Sequence, residues 1–274
     1  MLPRVMIIGA FTNAALLWWS QSFHEDVPPK ILVTAQVFAA ICGYRCIFPN
    51  RYNGCVVLRD NILSSIAITR IMATFAEMFL LYQLSLVATD LNHIRIGGPL
   101  VWIDVFAWAM VISDAIAQCC VWSSLVLETD ILMWYEEANW ALMFTLNTII
   151  NAFYFFNGDS RQGDPRWQCI WISLLFGAIY LPWQIGLHLP MINSDERKKA
   201  RKHEKCEISC EQVSRGCFRA WFHRKPSQKY KDWGRGVGAF WMFGYWVLEP
   251  IWPMFVAYGY SQAIREYGAR SILV

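Results

Sequence analysis

Seven stretches of the chain are apolar over lengths that suit a membrane-crossing helix, at roughly residues 5–22, 30–48, 61–88, 99–125, 131–156, 167–191 and 236–260. A hydrocarbon core of roughly 30 Å needs about 20 helical residues at about 1.5 Å of rise each. Composition agrees: 56% of the 274 residues are hydrophobic and 16% are charged, against about 45–50% and roughly 25% in an average soluble domain. This composition argues against a soluble enzyme, and the polar remainder is too small for a large separate catalytic domain. The expected fold is all-α, a polytopic transmembrane bundle of about seven spans. The second span is the least marked, because its uncharged core from Ile31 to Tyr44 is short. Arg45 would have to snorkel to the interface, or the segment would be re-entrant. Turn-forming breaks separate the spans, at Pro28-Pro29, Pro49-Asn50, Gly97-Gly98-Pro99 and the polar run 157–166.

One polar segment stands apart. Residues 193–235 hold 13 Lys/Arg against six acids, a net charge of +7. The chain therefore divides into residues 1–192 with spans one to six, the basic loop 193–235, and residues 236–274 with span seven and a tail, within a single membrane domain. In a seven-span arrangement the loop shares a side with Arg4, Arg45, Arg51 and Arg59, giving 17 positive residues there and 6 opposite. Excess Lys/Arg marks the inner side, so the N-terminus is expected inside and the C-terminus outside. Rhodopsins and G-protein-coupled receptors have the reverse arrangement, and Lys30, at the edge of the second span, and the seven lysines from Lys198 to Lys231 all lie outside the span interiors, so none can form a buried retinal Schiff base. The first span begins like a signal sequence after Arg4, but Trp18-Trp19 stand where a small-residue cleavage site would be, so it is expected to stay as a helix. The nine cysteines lie mostly in spans or on the inner side and read as reduced thiols.

Within the basic loop, His203, Cys206, Cys210 and Cys217 supply zinc-type ligands. The spacing of Cys206, Cys210, Val213, Cys217 and Trp221 at i, i+4, i+7, i+11 and i+15 is also the apolar stripe of an amphipathic helix, in which Cys acts as a small hydrophobe. The helix is the preferred expectation, lying on the inner leaflet with the basic residues of 197–235 toward anionic lipid. Zinc on those four residues is the alternative.

Ionisable side chains inside spans are costly and tend to face the bundle interior or a water-filled cavity. Here they are Arg70 and Glu77 on span three, Asp104 and Asp114 on span four, Glu136 and Glu137 on span five, and Glu249 on span seven. Arg70, Thr74 and Glu77 share one helix face, yet about 10 Å of axial rise separates Arg70 from Glu77. A bound anionic group or a carboxylate from a neighbouring helix is therefore the expected partner of Arg70. On span five, Glu136, Trp140, Asn147 and Asn151 form one stripe over about 22 Å, suited either to a lined cavity or to interhelical hydrogen bonding. Ser113, Asp114 and Gln118 form a second polar patch, and Gln184 and His188 follow Pro182 one turn apart. Glu249 stands beside Pro250 and Pro253, which lack the amide hydrogens that would bond the carbonyls of Trp246 and Glu249.

No HExxH, Walker loop or GxSxG motif is present, and whether the chain is an enzyme, its cofactor and its membrane are not named by the sequence. The expected function is transport or chemical processing of a small amphiphile or lipid, coupled to a proton or cation. Its candidate binding residues are Arg70, Glu77, Asp114, Glu136, Asn147, Asn151 and Glu249. The alternative is a non-catalytic subunit of a larger membrane complex. The expected partners are the bilayer and such a complex, with no nucleic acid.

Overall fold

A computed structural model describes residues 2–93, 98–127, 129, 131–157, 166–192, 209–233 and 242–267. The helices run α1 (Leu2–Ser20), α2 (Pro29–Ile47), α3 (Ile66–His93), α4 (Val101–Leu127), α5 (Ile131–Phe156), α6 (Arg166–Trp183), α7 (Cys210–Phe222) and α8 (Ile251–Tyr267). Among the described residues the fold is all-α apart from three two-residue strands. Four helical stretches among them are long and apolar enough to cross a membrane: Pro29–Ile47, Ile66–His93, Val101–Leu127 and Trp167–Ile192. Multi-pass membrane character follows from these alone.

Local sequence sets the helix ends. Pro29 occupies the first turn of α2, where its missing N–H costs nothing. Between α3 and α4, Leu100 N–H donates to Asn92 Oδ1 (2.8 Å) while Asn92 Nδ2 donates to the Leu100 carbonyl (3.0 Å), so one buried amide mimics a strand partner and fixes the turn. Gly98 in that turn has φ +85°, a conformation that a Cβ would strain. Ser209 caps α7 by accepting from Gln212 N–H at 3.1 Å.

Consecutive helices pack as neighbours from α1 to α6, and α8 closes the ring by contacting α6, α2 and α1. The main core is built of Ala, Leu, Ile and aromatic side chains from α2, α3, α4, α5 and α8. On α5 the buried residues are Glu136, Trp140, Phe144, Asn147, Asn151 and Tyr154 with their aliphatic neighbours, the same stripe that helical periodicity marks in the sequence. α2 is one continuous helix of 19 residues. Its Arg45 turns inward and lies over the rings of Tyr245 (5.2 Å) and Trp246 (4.9 Å), instead of reaching for an interface. Two electron-rich ring faces give the cation a partner inside the protein.

A small cap covers one end of the bundle. Strands β1 (Asn50–Arg51) and β2 (Val56–Val57) pair antiparallel, and β2 pairs parallel with β3 (Lys225–Pro226). Trp233 is fully buried beneath this sheet and donates from Nε1 to the Ser227 carbonyl at 2.9 Å. Beside it the Ser227 hydroxyl, donating at 2.6 Å, holds the Asp232 carboxyl below the usual carboxylate range, with nearby lysines acting the same way.

α7 joins the cap through a face that the Cys spacing did not indicate. Gly216 and Ala220 are its buried residues, packed on α4, while Cys210, Cys217, Phe218, Trp221 and Phe222 are exposed. Small residues win the inward face because they let α7 lie directly against the α4 backbone. His203 and Cys206 lie outside the described residues, and among the described residues no three His, Cys, Asp or Glu side chains gather as a metal set.

Two helical stretches are interrupted at this same end. After Pro182, residues Gln184–His188 widen into a π-turn, and Gly244–Leu248 form another before Glu249-Pro250 break the chain ahead of α8. Pro250 has no N–H for the carbonyls behind it. Asn13 on α1 supplies a substitute, donating from Nδ2 to the Trp246 carbonyl at 2.9 Å, and the Cys42 and Cys46 thiols approach the Tyr245 and Trp246 carbonyls at 3.8 and 3.6 Å. Asn13→Leu removes the strongest of these donors. We expect it to destabilise the protein by about 1–3 kcal/mol, the cost of an unsatisfied buried acceptor, measured by SDS-induced unfolding in mixed micelles. A change below about 0.5 kcal/mol would show that the thiols suffice.

Candidate functional site

Four of the candidate side chains, Arg70, Glu77, Asp114 and Glu136, meet at the capped end through Gln118 and Tyr245. Arg70 on α3 is 2% exposed. Its Nη2 donates to Glu77 Oε2 at 2.6 Å and to Gln118 Oε1, and its Nη1 lies 3.4 Å from both Glu77 Oε1 and Glu136 Oε1. Gln118 on α4 passes the chain onward, donating from Nε2 to Glu77 Oε2 and to Asp114 Oδ1, each at 2.8 Å. Tyr245, in the π-turn before Glu249, donates its hydroxyl to Glu77 Oε1 at 2.5 Å. Helices α3, α4 and α5 and the broken last segment are thus fastened at one point.

The direct Arg70–Glu77 pair differs from the expectation drawn from axial rise. Helical side chains tilt toward the N-terminus, so Glu77 leans back toward Arg70, and the long guanidinium covers the remaining distance. Tyr245 and the double role of Gln118 as acceptor from Arg70 and donor to two carboxylates have no short-range sequence signal, since Tyr245 is 168 residues from Glu77. Two polar atoms of the cluster, Arg70 Nε and Asp114 Oδ2, are buried without a protein partner.

Asn147 and Asn151 do not join the cluster. They lie about three and four turns farther along α5, buried, with Asn151 Nδ2 donating to the Asn147 carbonyl at 2.8 Å and to its side-chain oxygen at 3.2 Å. Glu137, next to Glu136 in sequence, faces α6 instead. It accepts from Gln184 Nε2 at 2.8 Å and lies 3.4 Å from His188 Nδ1, whose ring stacks on Trp183 at 4.8 Å. Adjacent carboxylates therefore fasten α5 to different helices.

Glu249 occupies a different setting. It lines a cleft of about 500 Å³ between α6 and the last segment, open on one side, a size within the roughly 300–1,000 Å³ typical of small-molecule sites. The walls are aromatic: Phe176 stacks on Trp252 (4.2 Å, 15°) and on Tyr180 (5.3 Å, 16°), with Trp183 and Tyr245 beyond. Glu249 is 6% exposed, and its carboxylate makes no hydrogen bond or ion pair with a described residue. Leu175, Ile179 and Leu248 on the rim are exposed. The cleft is thus an apolar slot with one acidic point. The aromatic wall was legible in part, since Phe176, Tyr180 and Trp183 recur at helical spacing, but nothing local pairs that wall with Glu249.

No protein-family model, no curated protein and no solved structure matches this chain.

Proposed function

We propose that this is a seven-span integral membrane protein that binds a small amphiphile or lipid in the cleft between α6 and the broken last span, for transport or chemical processing. The observation that carries this reading is Glu249, a buried carboxylate without a partner, set in an aromatic slot whose rim is exposed and apolar. A bilayer would place acyl chains against that rim. Two further features support the site. π-turns, which recur at functional positions, flank the cleft on both helices, and the last span is discontinuous at Glu249-Pro250, as in binding sites built from broken helices.

In this reading α1, α5 and the segment 242–267 complete the seven spans. Asn147 and Asn151 act between helices, and the network of Arg70, Glu77, Asp114 and Glu136 locks the bundle around the cleft while offering exchangeable protons beside it. The N-terminus lies inside, and the cap with the basic loop 193–235 lies on the inner surface. The exposed Phe218, Trp221 and Phe222 of α7 would enter the interface there, and the basic residues would contact anionic lipid. One observation favours the second reading, a non-catalytic subunit of a membrane complex: the Arg70 guanidinium already has three protein partners, so that cluster works as a lock without any ligand.

Gly244 provides the test. It lines the cleft, and a Cβ added there meets nothing within 4 Å, so the side chain of Gly244→Leu starts in open space and its branches take up room in the slot. In a thermal-stability screen of purified protein against amphiphiles, the wild type is expected to show saturable stabilisation, and Gly244→Leu to lose it with an unchanged unliganded midpoint. Absence of any stabilising amphiphile, together with copurification of a stoichiometric membrane partner, would replace this reading with the second.

A further inference from the structure

We propose that the amphiphile held in this cleft carries a cationic nitrogen head group and no phosphate, with its positive charge set between the Glu249 carboxylate and the aromatic wall. The inference rests on the cleft reading above and specifies its ligand.

Charge is the first argument. Glu77, Glu136, Glu137 and Asp114 each have a donor or cation within 3.4 Å, whereas Glu249 has none. A carboxyl held in an apolar slot with no hydrogen-bond partner among the described residues gains from a positive or hydrogen-donating group from outside the chain, and a cation there favours its ionised form, which offers only acceptors. No Lys or Arg lines the cleft. Arg45 acts on Glu249 only from behind Tyr245 and Trp246, so a phosphate or carboxylate on the ligand would bring a second negative charge with no cation in the cleft wall to meet it.

Ring geometry is the second argument. A cation within about 6 Å of an aromatic centroid is attracted to the ring face, and clusters of such faces recognise quaternary ammonium groups. Trp252, Phe176 and Tyr180 stack on one another, so the faces between them are taken and a cation would meet the outer rings of the stack and Trp183, which is tilted at 6.0 Å from Tyr180. The protein already uses this chemistry nearby, where Arg45 lies over Tyr245 and Trp246. The open side determines the rest of the ligand. Exposed Leu175, Ile179 and Leu248 border it, so a hydrocarbon chain attached to the cation leaves along apolar rim into surrounding acyl chains. A long-chain ammonium compound meets all three requirements.

The experiment compares three probes of equal chain length by calorimetric titration of the full-length protein in a maltoside detergent: tetradecyltrimethylammonium, tetradecanol and tetradecylphosphocholine. The permanently charged cation is expected to bind at least about tenfold more tightly than either of the others, consistent with a desolvated cation–aromatic contact. Glu249→Gln should erase that preference and leave tetradecanol binding intact, and Glu249→Asp should keep most of it. If the wild type binds tetradecanol or the phosphocholine as tightly as the cation, the head-group inference is overturned while the cleft reading stands. If no probe saturates, the cleft reading itself fails. The wild-type ranking decides between these results even where a Glu249 variant does not fold.

Discussion

Arg70→Ala is expected to cost about 3–5 kcal/mol, the range found when one partner of a buried ion pair is removed. The variant leaves Glu77 and Glu136, 3% and 6% exposed, without the guanidinium that touches both, and it strips Gln118 of its donor. Arg70→Lys should recover only part of the loss, because a single ammonium cannot reproduce the fork that contacts two carboxylates and an amide at once. Neutralising the acids alongside, as in Arg70→Met with Glu77→Gln and Glu136→Gln, should restore most of the stability, since matched removal avoids an uncompensated charge. SDS-induced unfolding in mixed micelles measures all of these. A loss below about 1 kcal/mol for Arg70→Ala would remove the lock from the account of the bundle. A variant that folds normally but loses amphiphile stabilisation would move Arg70 into the binding site.

Gly216→Leu is the second large effect, and it should be local. A Cβ at this position would lie 1.9 Å from the Val126 carbonyl oxygen and 2.7 Å from its carbon. Those are backbone atoms of α4 and cannot rotate away, so α7 must lift. Replacing a helical glycine gains roughly 0.5–1 kcal/mol of helix propensity, but overpacking costs typically 1–3 kcal/mol and more against rigid backbone. The clash therefore decides the sign. Lifting α7 breaks the Gln212 side-chain bond to the Leu127 carbonyl (2.8 Å) and the contact of Arg219 Nε with Cys55 Sγ (3.1 Å), and it strains the β2–β3 pairing. Tryptic cleavage at Arg215 and Arg219 should accelerate at least about tenfold, while SDS unfolding of the bundle changes little. Unchanged cleavage would mean that α7 is held by something other than this close approach.

Periodicity and punctuation made much of the bundle legible. The apolar runs located helices α1 to α6 to within a few residues, except that α3 starts after a short turn at 62–64 and runs on to His93, and that α6 gives way to a π-turn after Trp183. The buried stripe from Glu136 to Asn151 follows from 3.6 residues per turn, and the Pro250 break follows from a ring without an N–H. The final helix nevertheless starts only at Ile251, because the π-turn and Glu249-Pro250 take up the first part of the apolar run. Two-residue strands are too short to carry an alternation signal, so the cap sheet was invisible. The Cys spacing on α7 marks a stripe that lies exposed, away from the bundle, and it carried no signal for the packed face, where Gly216 and Ala220 are selected by backbone proximity.

The sequence by itself determined the solvent and the local elements, because hydrophobicity and turn chemistry act within tens of residues. It also determined which polar groups lie inside the helices. Which of those groups meet was decided only by the tertiary structure. Arg70 finds Glu77, Glu136 and Gln118 through side-chain reach across three helices, whereas Glu249 is turned into an aromatic slot with no Lys or Arg among its described lining residues. A carboxylate looks the same in sequence whether it is paired or not, and that difference separates the lock from the candidate binding site.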